Sequence, residues 1–241
     1  ELSSIIAVSD VVVHLAALCN PALYNTDPLT VMDAAYTHAL PVVRMARDIG
    51  KRLLFFSTCE VYGKSVAGLL PASDPYREDP GSYLLSEDSS HYVLGPLHKQ
   101  RWTYACAKQM LERVIHAESE VNGLSYSIIR PFNFLGPRMD FLPGFDGEGV
   151  PRVFPCFMKA LLRGEPLWLV DGGQARRAFT SIRDAVDATV RVVDRPDESR
   201  GQTFNIGNPD NETTVAGLAD MMIRLYREKT GACSSTARTV T

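Results

Sequence analysis

The sequence has no apolar run near the roughly 20 residues that a membrane-spanning helix requires, which argues against an integral membrane protein. It has no marked excess of charge either, with 25 Lys and Arg against 28 Asp and Glu, so nothing favours nucleic acid or an anionic membrane as a partner. The five cysteines form no CxxC pair, which disfavours a zinc site and a disulfide framework, and no basic signal segment opens the chain. We therefore expect a cytoplasmic globular protein with one sizeable core.

Strand and helix patterns alternate along the 241 residues. Apolar runs typical of strands covered on both faces occur at residues 11–17 and 53–56, and further strand patterns at 125–129, 167–170, 179–182 and 203–206. Helical periodicity occurs at about residues 30–48, 103–117, 153–163, 184–193 and 215–226. This alternation predicts an α/β fold with a doubly wound parallel sheet, in which 203–206 is an edge strand. The segment 231–241 has no periodicity and is expected to be a disordered tail.

The first helical pattern has recognisable boundaries. Asp27 and Pro28 read as the N-cap and the first helical residue, and Gly50 marks the end. Pro41 lies inside the pattern and predicts a kink or a break.

Two long connections contain no convincing element, one from Tyr62 to Arg101 and one from Pro131 to Val150. Structureless stretches of this length in a compact domain usually build binding sites or lids. Both follow the carboxyl ends of predicted strands, where doubly wound sheets bind ligands. The sequence therefore predicts a functional site at this edge of the sheet.

Tyr104 and Lys108 form a YxxxK pattern on the predicted helix at 103–117. Residues four apart share one helical face, so the ammonium is expected to lie near the phenol and to lower its pKa toward neutrality. Such a tyrosine can act as a general base that takes a hydroxyl proton while a hydride leaves for a nicotinamide. The alternative is a lysine that snorkels beside a core tyrosine.

A second polar motif, Ser57-Thr58-Cys59-Glu60-Val61-Tyr62-Gly63, comes directly after the predicted strand at 53–56. The Thr58 hydroxyl can share a substrate proton with Tyr104, and a carboxylate at Glu60 is costly to bury unless it is paired or functional. An ordinary strand-to-loop exit would also contain such residues. Because both motifs occur together, we favour a functional interpretation.

With these two motifs, three other segments complete a family pattern: His14-Leu15-Ala16-Ala17, Arg130-Pro131-Phe132-Asn133 and Gly136-Pro137-Arg138. The sequence resembles the extended short-chain dehydrogenases that act on nucleotide sugars, and among them the UDP-apiose/UDP-xylose synthases. The resemblance implies a Rossmann-like fold over residues 1–230, with residues 1–150 mainly binding cofactor and 151–230 forming part of a small substrate lobe. It also implies a homodimer through helices near 30–48 and 103–120.

The resemblance implies NAD-dependent oxidative decarboxylation of UDP-glucuronate through a 4-keto intermediate to UDP-apiose or UDP-xylose. It makes Tyr104 the base, Lys108 its support, Thr58 a proton relay and Glu60 an acid/base residue. Cys19 and Cys59 match thiols of the apiose-forming branch. From the residues alone, small buried thiols are an equal alternative.

Binding roles implied by the resemblance fall into two sets. The expected cofactor-binding residues are Leu15, Ala16, Ala17, Thr58, Tyr104, Lys108 and Pro131. The expected substrate-binding residues are Tyr24, Arg101, Asn133, Arg152 and Arg177. No metal is expected, because the five histidines show no ligand spacing, and His14 is interpreted as a satisfied core histidine.

One expected motif is missing. The sequence has no GxGxxG, the turn whose backbone N–H groups hold a cofactor pyrophosphate, so the Rossmann-like fold is expected to be incomplete at its N-terminus. Two alternatives to the synthase interpretation follow. The chain could be a truncated, non-catalytic homologue that dimerises or binds nucleotide weakly, or it could be another nucleotide-sugar epimerase or dehydratase.

Overall fold

A computed structural model of the chain describes residues 1–71, 73–147, 151–231 and 236–240. The α-helices are α1 Leu2–Ala7, α2 Pro21–Thr26, α3 Pro28–Met32, α4 Ala39–Ile49, α5 Pro80–Tyr83, α6 Thr103–Asn122, α7 Val153–Arg163, α8 Ile182–Asp194, α9 Pro196–Ser199 and α10 Val215–Thr230. The strands are β1 Val11–His14, β2 Arg52–Phe56, β3 Tyr126–Pro131, β4 Asn133–Leu135, β5 Leu167–Val170, β6 Arg176–Ser181, β7 Thr203–Ile206, β8 Glu212–Thr214 and β9 Ala237–Val240.

The chain divides into two compact units. The first contains Glu1–Phe132 and Val186–Ile206, and the second contains Asn133–Ala185 and Gly207–Thr241. The first boundary between these units lies after Phe132, next to the end of β3, and the change of role near residue 150 stays a prediction. The chain also returns to the first unit for most of α8, for α9 and for β7, because β7 supplies the fourth strand of that unit's sheet.

The first unit is built on a four-stranded parallel sheet in the order β1-β2-β3-β7. The predicted doubly wound, Rossmann-like architecture is confirmed, and β7 is an edge strand as expected. The prediction that the first strand is covered on both faces is wrong, because β1 forms the other edge and Val13 is 41% exposed. The strand ends at His14, so the apolar residues Leu15 to Ala17 follow it instead of belonging to it.

The predicted helix at 30–48 is broken as the proline indicated. The Asp27 carboxylate accepts a hydrogen bond from the Thr30 amide at the start of α3. A π-helical turn, Asp33–Thr37, separates α3 from α4. Pro41 lies in the first turn of α4, where a missing N–H costs least. Gly50 ends α4 at φ 74°, a left-handed conformation that glycine adopts without steric cost.

The core of the first unit lies between its sheet and helices α4 and α6. Its buried members include Ala39, Val43, Ala46, Leu53, Phe55, Leu111, Ile115, Leu124, Tyr126 and Ile128. Met110 of α6 is 52% exposed, because it lies off the packed face of the helix.

The second unit has two small sheets and a separate core. Strands β4, β6 and β8 form one sheet, and β5 pairs with β9 in parallel. Helices α7 and α10 pack over this unit's core. The predicted helix at 153–163 and the predicted strand at 167–170 are confirmed, whereas the strand expected at 179–182 begins at Arg176 and gives way to α8 at Ile182.

The prediction of a disordered tail is wrong for the part that the structure describes. Ala237–Val240 forms β9, which aligns with Leu167–Val170 residue by residue. Backbone pairing of this kind needs no apolar periodicity, so the sequence pattern carried no sign of it. Residues 232–235 and 241 of the predicted tail lie outside the described residues.

The long connection from Tyr62 to Arg101 contains short helical turns and one isolated bridge, between Gly63 and Val93. Gly63 has φ 71°, and a Cβ atom there would lie 1.9 Å from the Val93 carbonyl oxygen. Only glycine therefore fits at this bridge. Among the described residues, no helix is both long enough and apolar enough to cross a membrane.

Candidate active site

Three segments of the first unit carry most of the predicted site residues. They follow β1, follow β2, and open α6. Directly after β2, the Thr58 side chain accepts a hydrogen bond from the Glu60 amide at 3.2 Å and so caps a 3₁₀ turn, Cys59–Tyr62. This cap fixes Thr58 and Glu60 on one rigid turn at the carboxyl end of a buried strand.

Tyr104 and Lys108 lie on the buried side of α6, as the spacing predicted. Tyr104 is 5% exposed and Lys108 is fully buried. The Lys108 ammonium donates a hydrogen bond to the Phe56 carbonyl at 2.8 Å and lies 6.0 Å from the centre of the Tyr104 ring. The β2 backbone thus holds the lysine beside the tyrosine. This arrangement does not match the alternative of a lysine that snorkels to the surface.

The prediction that the Tyr104 pKa is lowered is wrong for the protein without ligands. Burial raises the pKa of Tyr104 above its ordinary value, and the neighbouring acidic groups Cys19, Glu60 and Cys59 raise it further. Burial also lowers the pKa of Lys108 to about 8, so its ammonium is itself close to losing a proton. Desolvation of both groups outweighs the attraction between them.

Tyr24, Arg101 and Glu60 form a layered group around Tyr104. The Tyr24 ring is buried and stacks on the Tyr104 ring with centroids 5.3 Å apart. The Arg101 guanidinium lies over the Tyr24 ring at 5.5 Å and donates a hydrogen bond to the Glu60 carboxylate at 2.7 Å. Two predicted substrate-binding residues thus contact the predicted base and acid directly. The Arg101 side chain remains 43% exposed, so part of its guanidinium can reach a ligand.

Both predicted thiols lie near this group. Cys19 is exposed and Cys59 is half-buried. Each is close enough to Tyr104 to raise its pKa, and Cys19 also raises the pKa of Lys108. The exposure of Cys19 does not fit the alternative of two small buried thiols. Neither observation tests a role in chemistry.

Two buried polar atoms near the carboxyl ends of β1 and β2 have no hydrogen-bond partner among the described residues. They are Nδ1 of His14 and Oγ of Ser57. The interpretation of His14 as a satisfied histidine is therefore wrong: its ring packs near Phe55, and burial and Lys108 lower its pKa. Next to it, Leu15 is 63% exposed. Orphaned polar atoms beside an exposed apolar segment at this edge of a parallel sheet fit a dinucleotide such as NAD.

The second unit carries the other predicted substrate residues. The Asn133 amide donates to the Ala178 carbonyl at 2.9 Å, and exposed Arg177 donates to the Arg176 carbonyl. Arg152 pairs with the Asp140 carboxylate at 3.2 Å. Arg152 also lines a pocket of about 240 Å³ with residues of the 134–139 segment and Ile182. Its guanidinium is thus already paired within the unit.

Comparison with known proteins supplies the family. A model of the NAD dependent epimerase/dehydratase family matches residues 1–207. The chain belongs to this family. It is 50% identical over 233 residues to UDP-D-apiose/UDP-D-xylose synthase 1 of Arabidopsis thaliana, covering 96% of this chain and 60% of that protein. It is 52% identical over 233 residues to UDP-D-apiose/UDP-D-xylose synthase of Oryza sativa subsp. japonica, covering 96% and 58%. The chain spans about three fifths of the length of these relatives.

Solved structures agree with this membership of the NAD dependent epimerase/dehydratase family. The PbgP3 protein of Burkholderia pseudomallei superposes with a TM-score of 0.84 at 34% identity, over all of this chain and 68% of that chain. UDP-glucuronic acid 4-epimerase of Bacillus cereus, in complex with UDP-glucuronic acid and NAD, superposes with a TM-score of 0.75 at 22% identity, over all of this chain and 65% of that chain. The second likeness shows the fold alone.

Sequence reasoning missed a hydrogen-bond network centred on a buried arginine, next to these predicted site residues. Its members are Tyr62, Tyr92, Glu112, Arg130 and Asn205. Glu112 follows Lys108 by four residues and so continues the helical face of Tyr104, a spacing that could have identified it. Arg130 is a charge within an apolar strand pattern, which is a second available signal. Nothing local to Tyr92 or Asn205 indicates that they meet the same group.

Proposed function

We propose that this chain provides the catalytic centre of an NAD-dependent enzyme that decarboxylates UDP-glucuronate to UDP-apiose and UDP-xylose. The observation that carries the proposal is the buried Tyr104–Lys108 pair beside the capped turn that holds Thr58 and Glu60. The two plant synthases at about 50% identity support the choice of substrate and products.

The first step is oxidation at C4 of the sugar. When bound, NAD would supply the chemistry of accepting the C4 hydride and later giving it back, and Leu15, Ala16, Ala17 and Pro131 are the residues that would lie along it. Tyr104 takes the proton of the C4 hydroxyl, Thr58 relays it, and the sugar becomes a 4-ketone. Lys108, held by the Phe56 carbonyl, supplies the positive charge that stabilises the developing phenolate.

The second step is loss of CO₂. The new ketone lies β to the C5 carboxylate, so the electron pair of the breaking bond moves into the carbonyl and forms an enolate. Glu60 takes a proton from solvent and delivers it to this carbon, and its contact with Arg101 places it beside a cation that can hold the sugar or its diphosphate. Return of the hydride gives UDP-xylose. Retro-aldol opening and ring contraction before that return give UDP-apiose, for which we assign Cys19 and Cys59.

Substrate binding is proposed for two sets of residues. Tyr24 and Arg101 would contact the sugar, because both adjoin Tyr104. Asn133, Arg152 and Arg177 would contact the nucleotide, where planar guanidinium groups suit phosphate oxygens. Arg152 would exchange its bond to Asp140 for one to a phosphate.

We further propose that the enzyme is a homodimer through the segments 30–48 and 103–120. Exposed apolar side chains on these segments support this proposal. Met32 is 45% exposed and Met110 is 52% exposed. Such side chains favour burial against a partner. The molar mass from light scattering tests it: the parent should elute as a dimer, and Met110→Glu should increase the monomer fraction.

The deciding experiment is incubation of the protein with UDP-glucuronate and NAD⁺, with products identified by NMR. We expect UDP-apiose and UDP-xylose together with CO₂. A C4-epimerised uronate without CO₂ would instead indicate an epimerase. Absence of any product, with intact folding by circular dichroism, would contradict a catalytic role.

A further inference from the structure

One buried arginine is central to the network that the sequence did not predict. Arg130 lies in β3 and is 4% exposed. Its guanidinium donates two hydrogen bonds to the Glu112 carboxylate, at 3.0 and 2.7 Å. It also donates to the Tyr62 hydroxyl at 2.6 Å and to the Tyr92 hydroxyl at 3.0 Å. Tyr62 in turn donates to the Asn205 side-chain oxygen at 2.9 Å. Four hydrogen bonds thus leave a single planar group.

The partners of Arg130 belong to the two segments that carry the proposed chemistry. Glu112 lies four residues after Lys108 and eight after Tyr104, on the same face of α6. Tyr62 closes the 3₁₀ turn that Thr58 caps and that contains Glu60. Helix and turn are separated by about 40 residues of sequence, and Arg130 joins them through direct hydrogen bonds.

We propose that the Glu112–Arg130 pair is a positioning device that sets the Cys59–Tyr62 turn against the catalytic face of α6. This role rests on the proposed function, since it assumes that Tyr104, Lys108, Thr58 and Glu60 carry the chemistry. None of the network residues needs to touch the substrate. Their effect is to fix the distance between the Cys59–Tyr62 turn, which contains Glu60, and helix α6, which carries Tyr104.

Three features favour positioning over a purely stabilising role. A buried ion pair contributes little net stability, because desolvation offsets its attraction. The planar guanidinium fixes direction at three partners at once, which a lysine ammonium cannot reproduce. Tyr62 and Tyr92 also stack with ring centres 5.5 Å apart, and Arg130 lies 4.8 Å from the centre of the Tyr62 ring, so the buried Tyr62 ring is contacted by both neighbours.

The pair has a second consequence for the lysine. His14, Cys19, Tyr104 and Glu112 are the titratable groups that interact with Lys108. Burial lowers the pKa of Lys108, whereas the Glu112 carboxylate acts in the opposite direction and favours the ammonium. Arg130 holds both oxygens of this carboxylate and so fixes its position relative to Lys108.

Two variants test the proposal, each with a conservative change. Glu112→Gln keeps the shape of the side chain but removes its charge, and Tyr62→Phe keeps the stacked ring but removes the hydroxyl. In both, we expect kcat with UDP-glucuronate to fall roughly tenfold to a hundredfold while KM changes less than about twofold. Amide hydrogen exchange in residues 57–64 should accelerate about tenfold in Glu112→Gln, although Glu112 lies on the helix and not on the turn.

The matched control is Arg52→Lys. Arg52 is also a buried arginine of the first unit, but it donates to the Val192 and Val193 carbonyls at the end of α8 and to Ser199. We expect this variant to lose thermal stability and to retain the parent kcat and the parent exchange rates in residues 57–64. Equal exchange in parent and Glu112→Gln, or a kcat loss matched by Arg52→Lys, would overturn the proposal. A parent without turnover would overturn the proposed function alone, because exchange still decides whether the pair holds the turn.

Discussion

The two units of this chain differ in how deeply they bury the predicted site residues compared below. In the first unit, Tyr104 and Lys108 are buried, and the backbone carbonyl of Phe56 holds the lysine in place. In the second unit, Arg152 and Arg177 are exposed, and each bonds to another residue of the same unit. The proposed chemistry is preorganised by the fold, whereas the proposed nucleotide contacts lie on the surface and must exchange partners.

This difference follows from what each task requires. A general base works only within a narrow range of distances, so its side chain and its cation are fixed by packing. A phosphate contact is long-ranged and tolerant of geometry, and an exposed arginine avoids the cost of a buried, unpaired charge before the ligand arrives. The comparison predicts large effects from substitutions of the buried residues Tyr104 and Lys108. It predicts smaller effects from substitutions of the exposed arginines of the second unit.

The largest effect is expected for Tyr104→Phe. Loss of the hydroxyl removes the base, so NADH formation and CO₂ release should both fall by about a thousandfold or more. Tyr126→Phe is the matched control, since Tyr126 is a buried tyrosine whose hydroxyl contacts His116. If Tyr104→Phe retains turnover within tenfold of the parent, the buried residues Tyr104 and Lys108 do not carry the chemistry.

The burial of Lys108 can be tested without any substrate, through the pH dependence of stability. Its pKa is lowered to about 8 in the folded chain from 10.5, so between these values the unfolded chain binds more protons and stability rises with pH. The parent should gain about 2 kcal/mol of unfolding free energy between pH 7 and pH 9.5 relative to Lys108→Met. Tyr104, whose pKa is raised, reduces stability only above about pH 10, where the unfolded tyrosine ionises.

Urea unfolding at several pH values measures this difference. Lys99→Met, which changes an exposed lysine, is the control and should follow the parent curve. Parallel curves for the parent and Lys108→Met would mean that the lysine is not desolvated as the fold indicates.

A smaller effect is expected at the surface of the second unit. Arg152→Ala should weaken UDP binding roughly tenfold, because it removes a charged phosphate contact. Asp140→Asn should strengthen binding about threefold, since it releases Arg152 from an exposed ion pair that is worth little. Calorimetric titration with UDP measures both, with Arg195→Ala as an exposed control. If Asp140→Asn weakens binding, the arginine does not exchange partners.

The smallest effect is expected at Cys59, which is half-buried. Cys59→Ser should shift the product ratio from UDP-apiose toward UDP-xylose a few-fold, measured by NMR, while total turnover changes little. Cys106→Ser, at an exposed thiol of α6, is the control. An unchanged ratio would return Cys59 to the role of a small packing residue.

The sequence was most informative where one pattern depends on local geometry. Residues spaced as Tyr104 and Lys108 share a helical face in any α-helix, and the break shortly before Pro41 fits the missing N–H of that residue. The apolar runs likewise predicted the parallel sheet. In the helix and in its break, the decisive interactions lie within a few residues of one another.

What escaped the sequence depends on contacts between distant segments. The direction of the Tyr104 pKa depends on burial, which a motif does not reveal. The exposure of Val13 depends on strand order, because the same apolar run would be covered in a central strand. Strand β9 and the contacts of Arg130 with Tyr62 and Tyr92 likewise join segments far apart in the chain.

The bridge between Gly63 and Val93 has a consequence for proteolysis. Backbone hydrogen bonds from the Lys64 amide to Val93 and from the Val93 amide to Tyr62 fasten the two ends of the intervening segment, and Tyr92 is held by Arg130. A protease that cuts within this segment would therefore leave the two fragments attached to each other. The nicked chain should migrate as two fragments in denaturing gels and as one particle in native gels.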